Sequence, residues 1–563
     1  MPDPAEVAEI TAEERAPLPG PVKLVLAAFA LVVLVFAKDG ADSWADGSRL
    51  GTIQGLVEHG TLALDDTDFL WQGDKVWVGG HYFSQQPPML ALLGALPYAV
   101  LHHGLGLAIT DGITYRVLTW TLVGLPLFLG LACLARLLLE AGAGPRTAAL
   151  LLALAVFGTH VLPYSLVLQQ HGASTGFLLL GFYAVARRRP EVAGALLALA
   201  CTIDLTAVFP AVFLAWPVLR STGVQGVVRY GLGALPVLGL HFGVNYALVG
   251  DLRPLGLHLE AFEYPYSSFL FMSLTGGEQR AGEQAAYLFG ELLGKSGYLS
   301  HHPIVLPAIG AALVLAVRRS TRLPAGLLAA AGLSVLAIAA YYLTQSRNFG
   351  GSAFGMRWFT PFGPLLALFP AALIGARENE GEPIAFGPAA RVATGLLAVW
   401  SIAAASLGSV QPWAQFAYFW HQRPDAPIAN PALVPDSWPE HLKREWIRIT
   451  TFEQAFDQDS YVAWYQDIIH RHGKLYTQEW PGEDQTAALE FTRSGLVKLQ
   501  RAVDFLDQAE DRTFCRVAGH FWLGKLHQRL GDRAAAARAF DRTLGLAPSY
   551  GPALKARAKL DAE

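Results

Sequence analysis

"PVKLVLAAFALVVLVFAKDGADSWADGSRL", Pro21 to Leu50, decides how this chain is read. From Pro21 to Ala37 it is apolar apart from Lys23, a run of about 17 residues, the shortest that crosses hydrocarbon as a helix. Lys38-Asp39-Gly40 ends the run, and Asp42, Asp46 and Arg49 follow close behind. Carboxylates and a guanidinium at the end of an apolar helix are either a solvated loop or the wall of a site at a membrane surface. The residues before the run, 1–20 (MPDPAEVAEITAEERAPLPG), are acidic and proline-bearing. They lack the basic start and small-x-small site of a cleaved signal. The expectation is a cytoplasmic N-terminal segment and an uncleaved first transmembrane helix.

Composition agrees with that reading. Of 563 residues, 53% are hydrophobic and 16% charged, against about 25% charged in soluble domains. Mean hydropathy is +0.33. A net charge of −4 leaves no basic footprint for nucleic acid. Cys133 and Cys201 lie in apolar runs and Cys515 stands alone, so neither a disulfide framework nor a CxxC metal site is available.

Further apolar runs occupy about 87–104, 115–139, 147–163, 173–186, 192–219, 229–249, 303–318, 323–343, 358–376 and 390–408. Each is read as long enough to cross about 30 Å of hydrocarbon, with 192–219 also open to a hairpin through Asp204. The predicted fold class is an all-α polytopic membrane protein of about 10–13 transmembrane helices, with a mainly helical C-terminal soluble domain. The basic loops at Arg187–Arg189, Arg220–Arg229, Arg318–Arg322 and Arg377–Arg391 belong on the cytoplasmic side. That puts 39–86, 250–302, 344–357 and everything after 409 outside. The stretch 87–146 breaks the alternation unless one of its runs re-enters or lies along the interface.

Within the transmembrane module, 21–408, the outer loops are rich in glycine, aromatics and cations. "DKVWVGGHYFSQQPPMLALLGALPY" (Asp74–Tyr98), "NYALVGDLRPLGLHLEAFEYPYS" (Asn245–Ser267), "GKSGYLSHHP" (Gly294–Pro303) and "SRNFGGSAFGMRWFTPFGP" (Ser346–Pro364) all sit at helix ends. Together they would ring one extracytoplasmic cavity. Transfer from a membrane-anchored phosphate ester needs that combination: a base for the acceptor hydroxyl and cations for the leaving phosphate.

Beyond 409 the chain becomes rich in tryptophan, proline and charge, read as a linker or helical region over 409–513. "HFWLGKLHQRLGDRAAAARAFDRTLGLAPSYGPALKARAKL" (His520–Leu560) then shows two helical stretches meeting at Gly531-Asp532. Leu523, Gly524, Ala535, Ala536, Phe540 and Pro548 fall at tetratricopeptide-like spacings, so 514–563 is read as a helical hairpin with earlier helices, about 484–512, as its packing partners.

Three short segments carry a resemblance. Asp46-Gly47-Ser48-Arg49-Leu50 follows the first helix, Tyr82 through Gln85-Gln86-Pro87-Pro88 leads into the next run, and "GMRWFTPFGPLLAL" (Gly355–Leu368) opens a late one. Their order and placement resemble the Asp-acid-x-Arg-Tyr, Tyr-x-x-Lys-Pro-Pro and Gly-x-Arg-Tyr-x-x-Pro segments of GT-C superfamily glycosyltransferases. The protein O-mannosyltransferases and the bacterial lipid A aminoarabinose transferases are the nearest in pattern, over about residues 20–408. Gly47 replaces the second acid and Gln86 the lysine that helps hold the lipid phosphate. Arg49, Arg357, Arg347, His301 or Lys295 would then have to bind it.

The resemblance implies inverting displacement, in which Asp46 takes the acceptor proton and polyprenyl phosphate leaves the anomeric carbon. Asp46 is otherwise a loop or cap carboxylate. Asp42, at i, i+4 from it, is the second candidate base. Arg49 either binds phosphate or pairs with Asp46, and Arg357 binds phosphate or anchors its helix at the interface. His301 and His302 are adjacent and cannot share a helix face, which argues against a zinc pair. His171 and Asp204, ionisable groups in apolar surroundings, either line the cleft or bond between helices. His81, Tyr82, Gln86 and Tyr264 complete the expected substrate cavity.

Asp42, Asp46 and Asp65-Asp66 leave a divalent cation open as cofactor, but the loop lacks calcium-hand spacing and no metal is predicted. The expected partners are the lipid bilayer, a polyprenyl-phosphate sugar, and a protein or acceptor recruited by the C-terminal helices. The expected location is the cytoplasmic membrane, with site and tail outside. A scaffold working through the tail is the alternative. A transporter would show inverted repeats and mid-membrane charges, and no repeat is visible.

Overall fold

A computed structural model describes residues 17–41, 43–70, 74–262, 288, 291–293, 297–317, 322–345, 353–380, 387–410, 412–413, scattered positions between 492 and 507, 513–548 and 550–562. The chain is mainly helical. Among the described residues, five helices are long and apolar enough to cross a membrane: Gly112–Glu140, Leu205–Val249, Gly326–Gln345, Arg357–Glu378 and Pro388–Val410. Others are shorter than their apolar runs predict. The helix at Pro145–Phe157 has 13 residues and stops at Gly158, and Pro190–Ile203 has 14 and stops at Asp204. At 1.5 Å per residue each rises only about 20 Å.

The first helix, α1 (Gly20–Phe36), shows why the bundle forms. Val22, Leu26, Phe29 and Val33 recur on one stripe and are buried, while Leu24, Leu31, Leu34 and Phe36 point outward from the other face. A helix apolar on both sides suits a bundle whose surroundings are apolar too. The same outward display recurs at Leu232, Leu235, Leu313, Leu336, Leu396 and Val399.

Contacts define two ends. At one, Lys38 reaches the carbonyl of Val410 at 2.6 Å, Tyr115 reaches Asp46, and His171 reaches Asp204. At the other, Arg187 pairs with Glu140 and Arg229 with Glu191. Gly142 and Gly375 also cross there so closely that a Cβ on Gly142 would lie 2.4 Å from the Gly375 Cα. Successive passes run alternately between these ends. The 42-residue helix Val208–Val249 is two passes joined at Gly223, whose φ of 68° turns the chain back; Tyr230 then donates to the carbonyl of Ala211.

The apolar run 87–104 is the exception that restores the alternation. Its helix, Met89–Ala99 with a π-turn to Gly104, packs on the first loop: Tyr98 donates to Glu58, and Ile53 fills the space beside Gly94. Beyond it, Arg116 returns to within 3.4 Å of Asp39. The helix therefore starts and finishes at the Asp46 end. With it set aside, Arg136 and Arg146 fall near the opposite end, alongside Arg187–Arg189.

The first loop is itself structured. It holds α2 (Trp44–Gln54) and an antiparallel hairpin, β1 (Lys75–Val78) and β2 (His81–Ser84), turning through Gly79-Gly80. An all-helical expectation missed this pair. Positive φ at both glycines, 58° and 94°, together with alternating "VWVGGHYF", makes a tight hairpin favourable.

In the C-terminal part, helices Thr513–Arg529 and Arg533–Leu546 meet at Gly531-Asp532 as the spacing predicts, and Gly551–Ala562 follows. Asp532 caps the second helix through the Ala535 N–H at 2.9 Å. Gly524 leaves room for the Phe540 ring, and Leu499 and Val503 join the same core. Elsewhere, 414–491 lies outside the described residues.

Candidate functional site

The site grows from the first turn of α2. Ser43 caps the helix by accepting the Asp46 N–H at 3.1 Å, which sets Asp46 at the third helical position. A carboxylate there is favoured by the helix N-terminus. Asp46 is fully buried. Tyr115, from the start of the helix Gly112–Thr119, donates to its Oδ2 at 2.9 Å. Its Oδ1 has no hydrogen bond among the described residues and stands 3.9 Å from an Arg49 nitrogen. Burial pushes the carboxyl up to about 7, against the opposing pull of Arg49, Tyr115, Ser43 and Trp413.

Arg49 is 2% exposed and held in a frame of neutral acceptors. These are the carbonyls of Ala45 at 3.1 Å and Leu168 at 3.4 Å, Gln86 Oε1 at 2.8 Å, and Gln170 Oε1. Burial lowers it to about 10, which still leaves it charged. Four neutral acceptors fix the guanidinium, and the Asp46 and Asp74 carboxyls offset part of its charge. Gln86 itself bridges to buried Asp74, donating to Oδ2 at 3.0 Å. Desolvation raises Asp74 above the usual carboxylate range, opposed first by Arg357. Gln86 is thus an amide that ties a cation to an acid.

Arg357 lies on the far wall. Its guanidinium sits 5.4 Å from the Trp413 ring, and its buried Nε has no hydrogen bond among the described residues. The segment that carries it is clamped: Tyr164 donates to the Phe354 carbonyl at 2.6 Å, and the Phe354 N–H to Pro412 at 2.9 Å. Gly355, at φ 59°, passes directly over His160.

His171 and Asp204 come together, Nδ1 to Oδ2 at 2.6 Å. His301 does not join Arg49. Its Nδ1 is bonded to the Gly297 carbonyl at 2.7 Å, and its ring stands edge-on to Phe354 beside His302 and His160. That aromatic cluster supports the Arg357 segment. His81 is 63% exposed on the hairpin beside Asp65, and Tyr82 lies under Lys75; both are set off from Asp46. Asp42, Tyr264, Lys295 and Arg347 lie outside the described residues.

Between the hairpin exit and the end of Val208–Val249 lies a shallow cleft, with Arg49 and Gln86 at its polar end and Pro87, Pro88, Leu248 and Leu255 along it. Tyr115, Gln170, Asp74 and Trp413 belong to the site yet were not singled out from sequence. The paired glutamines of "SLVLQQHGAS", polar in an apolar stretch, carried a usable signal.

No protein-family model matches the chain, and no curated protein matches it.

Proposed function

We propose that this chain is a membrane glycosyltransferase of GT-C type, moving a sugar from a polyprenyl-phosphate donor to an extracytoplasmic acceptor hydroxyl. The observation that carries the reading is Asp46: a fully buried carboxyl, with one oxygen lacking a hydrogen bond among the described residues and the Arg49 guanidinium 3.9 Å away. Asp46 accepts the hydroxyl proton as the oxygen attacks the anomeric carbon. The new C–O bond forms as the bond to phosphate breaks on the opposite face, and the electron pair leaves with the phosphate, which Arg49 and Arg357 receive.

Several features support this assignment. Pro87, Pro88, Leu248 and Leu255 set an apolar surface beside Arg49, the pairing an isoprenoid phosphate calls for. Outward-facing leucines favour a bilayer around the bundle. Arginines 187–189, 229, 322 and 377 gather at the end opposite Asp46, which favours an extracytoplasmic site. The C-terminal helical hairpin suits recruitment of the acceptor or a protein partner.

The test is turnover by purified protein in detergent of polyprenyl-phosphate sugars, read as polyprenyl phosphate released, for wild type and Asp46→Asn. Release that falls at least about a hundredfold in the variant supports transferase and base together. Release unchanged by the variant moves the base to Asp42. No turnover of any donor sinks the transferase reading.

A further inference from the structure

His171 has one ring nitrogen bonded and the other buried without a hydrogen bond among the described residues. His171 is the second residue of its helix, Gln170–Ala186, and is 2% exposed. Its Nδ1 faces Asp204 Oδ2 at 2.6 Å, and the other Asp204 oxygen accepts the Thr206 hydroxyl at 3.0 Å and N–H at 3.3 Å. A carboxylate that accepts on both oxygens fixes the proton on Nδ1. The neutral ring therefore presents a lone pair at Nε2. That Nε2 is buried and has no hydrogen-bond partner among the described residues.

The surroundings say what should meet it. Arg49 and Arg357 are both near enough for their charge to act on the ring, and Gln170, the preceding residue, bonds Arg49. Tyr342 stands near Asp204 and Arg357 and stacks on Trp358, ring centroids 4.2 Å apart and planes 8° from parallel. An acceptor nitrogen, two guanidiniums and a stacked aromatic pair therefore lie in one neighbourhood of the fold. A ligand that satisfies all three carries a phosphate, a hydroxyl and an apolar ring face. Glycosyl phosphates have these features.

We infer that His171, oriented by Asp204, accepts a hydrogen bond from one hydroxyl of the sugar being transferred and thereby selects which sugar the site takes. This rests on the transferase reading above, and adds to it a substrate contact distinct from the base. Asp204 is a positioning residue: it fixes the tautomer. A sugar lacking the hydroxyl leaves Nε2 empty and is rejected, because a buried acceptor left unpaired is costly.

The experiment compares polyprenyl-phosphate mannose, glucose and galactose with their monodeoxy counterparts, using wild type, His171→Phe and Asp204→Asn. Wild type should discriminate against the deoxy sugar at one ring position by at least about tenfold in kcat/KM. His171→Phe should abolish discrimination at that position alone, and Asp204→Asn should weaken it. Equal losses on every sugar, or no change on any, would overturn the assignment. If wild type turns over no donor, binding of the hexose 1-phosphates decides. Affinity that drops in His171→Phe for the hydroxylated probe alone keeps the contact while the transferase reading fails. Binding indifferent to His171 removes both.

Discussion

The Tyr115 hydroxyl and the Asp46 carboxyl lie 2.9 Å apart, and only one of the two carboxyl oxygens is used by that bond. The same Tyr115 oxygen accepts the Leu168 N–H at 3.0 Å, so its proton is aimed at Asp46. The bond favours the ionised carboxyl and partly offsets the burial that raises it. In Tyr115→Phe the carboxyl should rise beyond about 7. The acid limb of the kcat/KM profile should move toward alkaline pH by roughly one unit, since one unit corresponds to about 1.4 kcal/mol. A pH–rate series on both proteins checks this; an unmoved limb removes Tyr115 from the tuning of the base.

Asp46 should also weaken the fold it serves. Its folded value, about 7, lies above that of an unfolded aspartate. The folded chain therefore binds the proton more tightly, and stability falls as pH rises from about 4 to about 7, then levels. Asp46→Asn should stabilise the protein at pH 8 by an amount on the order of 4 kcal/mol at most, and little at pH 4. Thermal unfolding in detergent at both pH values reads the difference. A variant less stable than wild type at pH 8 would mean that the carboxylate is structural.

The two arginines should separate. Arg49→Lys loses a frame of several hydrogen bonds and should both unfold earlier and lose activity. Arg357→Ala gives up a stacking contact with Trp413. It should melt within a few degrees of wild type while KM for the donor rises about tenfold or more, as for a lost phosphate contact. Donor titrations and melting curves together distinguish the cases.

Topology can be checked residue by residue. In a background lacking Cys133, Cys201 and Cys515, single cysteines at Gly40 and Gly106 should react with an impermeant maleimide from the same face. Cysteines at Gly144 and Arg188 should react only from the other. Labelling of position 106 with 144 would mean that the run 87–104 crosses after all.

Much of the site was readable where chemistry is local. Asp46 and Arg49 are three residues apart on one helix, and Gln86 is announced by the prolines after it. What the sequence did not reveal comes from distance along the chain: Tyr115 is 69 residues from Asp46, and Gln170 is 121 from Arg49. Hydropathy also cannot tell a helix that crosses from one that leans. Met89–Ala99 is as apolar as the spanning helices, and only its contacts with Glu58 and Ile53 show that it turns back. The hairpin was hidden differently, since a strongly helical composition outweighed four alternating residues on each side of two glycines.

The clamp at Phe354 and Pro412 bears on the order in which the molecule comes into being. Lys38, beside the first loop, is tied to Val410, and Trp413 lies against both Arg357 and the Asp46 carboxyl. A ribosome makes Asp46 among the first fifty residues and Trp413 only after the long apolar helix Pro388–Val410. Until that helix is in place, the carboxyl lacks one wall and Arg357 lacks its support. The walls of the Asp46 pocket are thus complete only once synthesis of the bundle is finished.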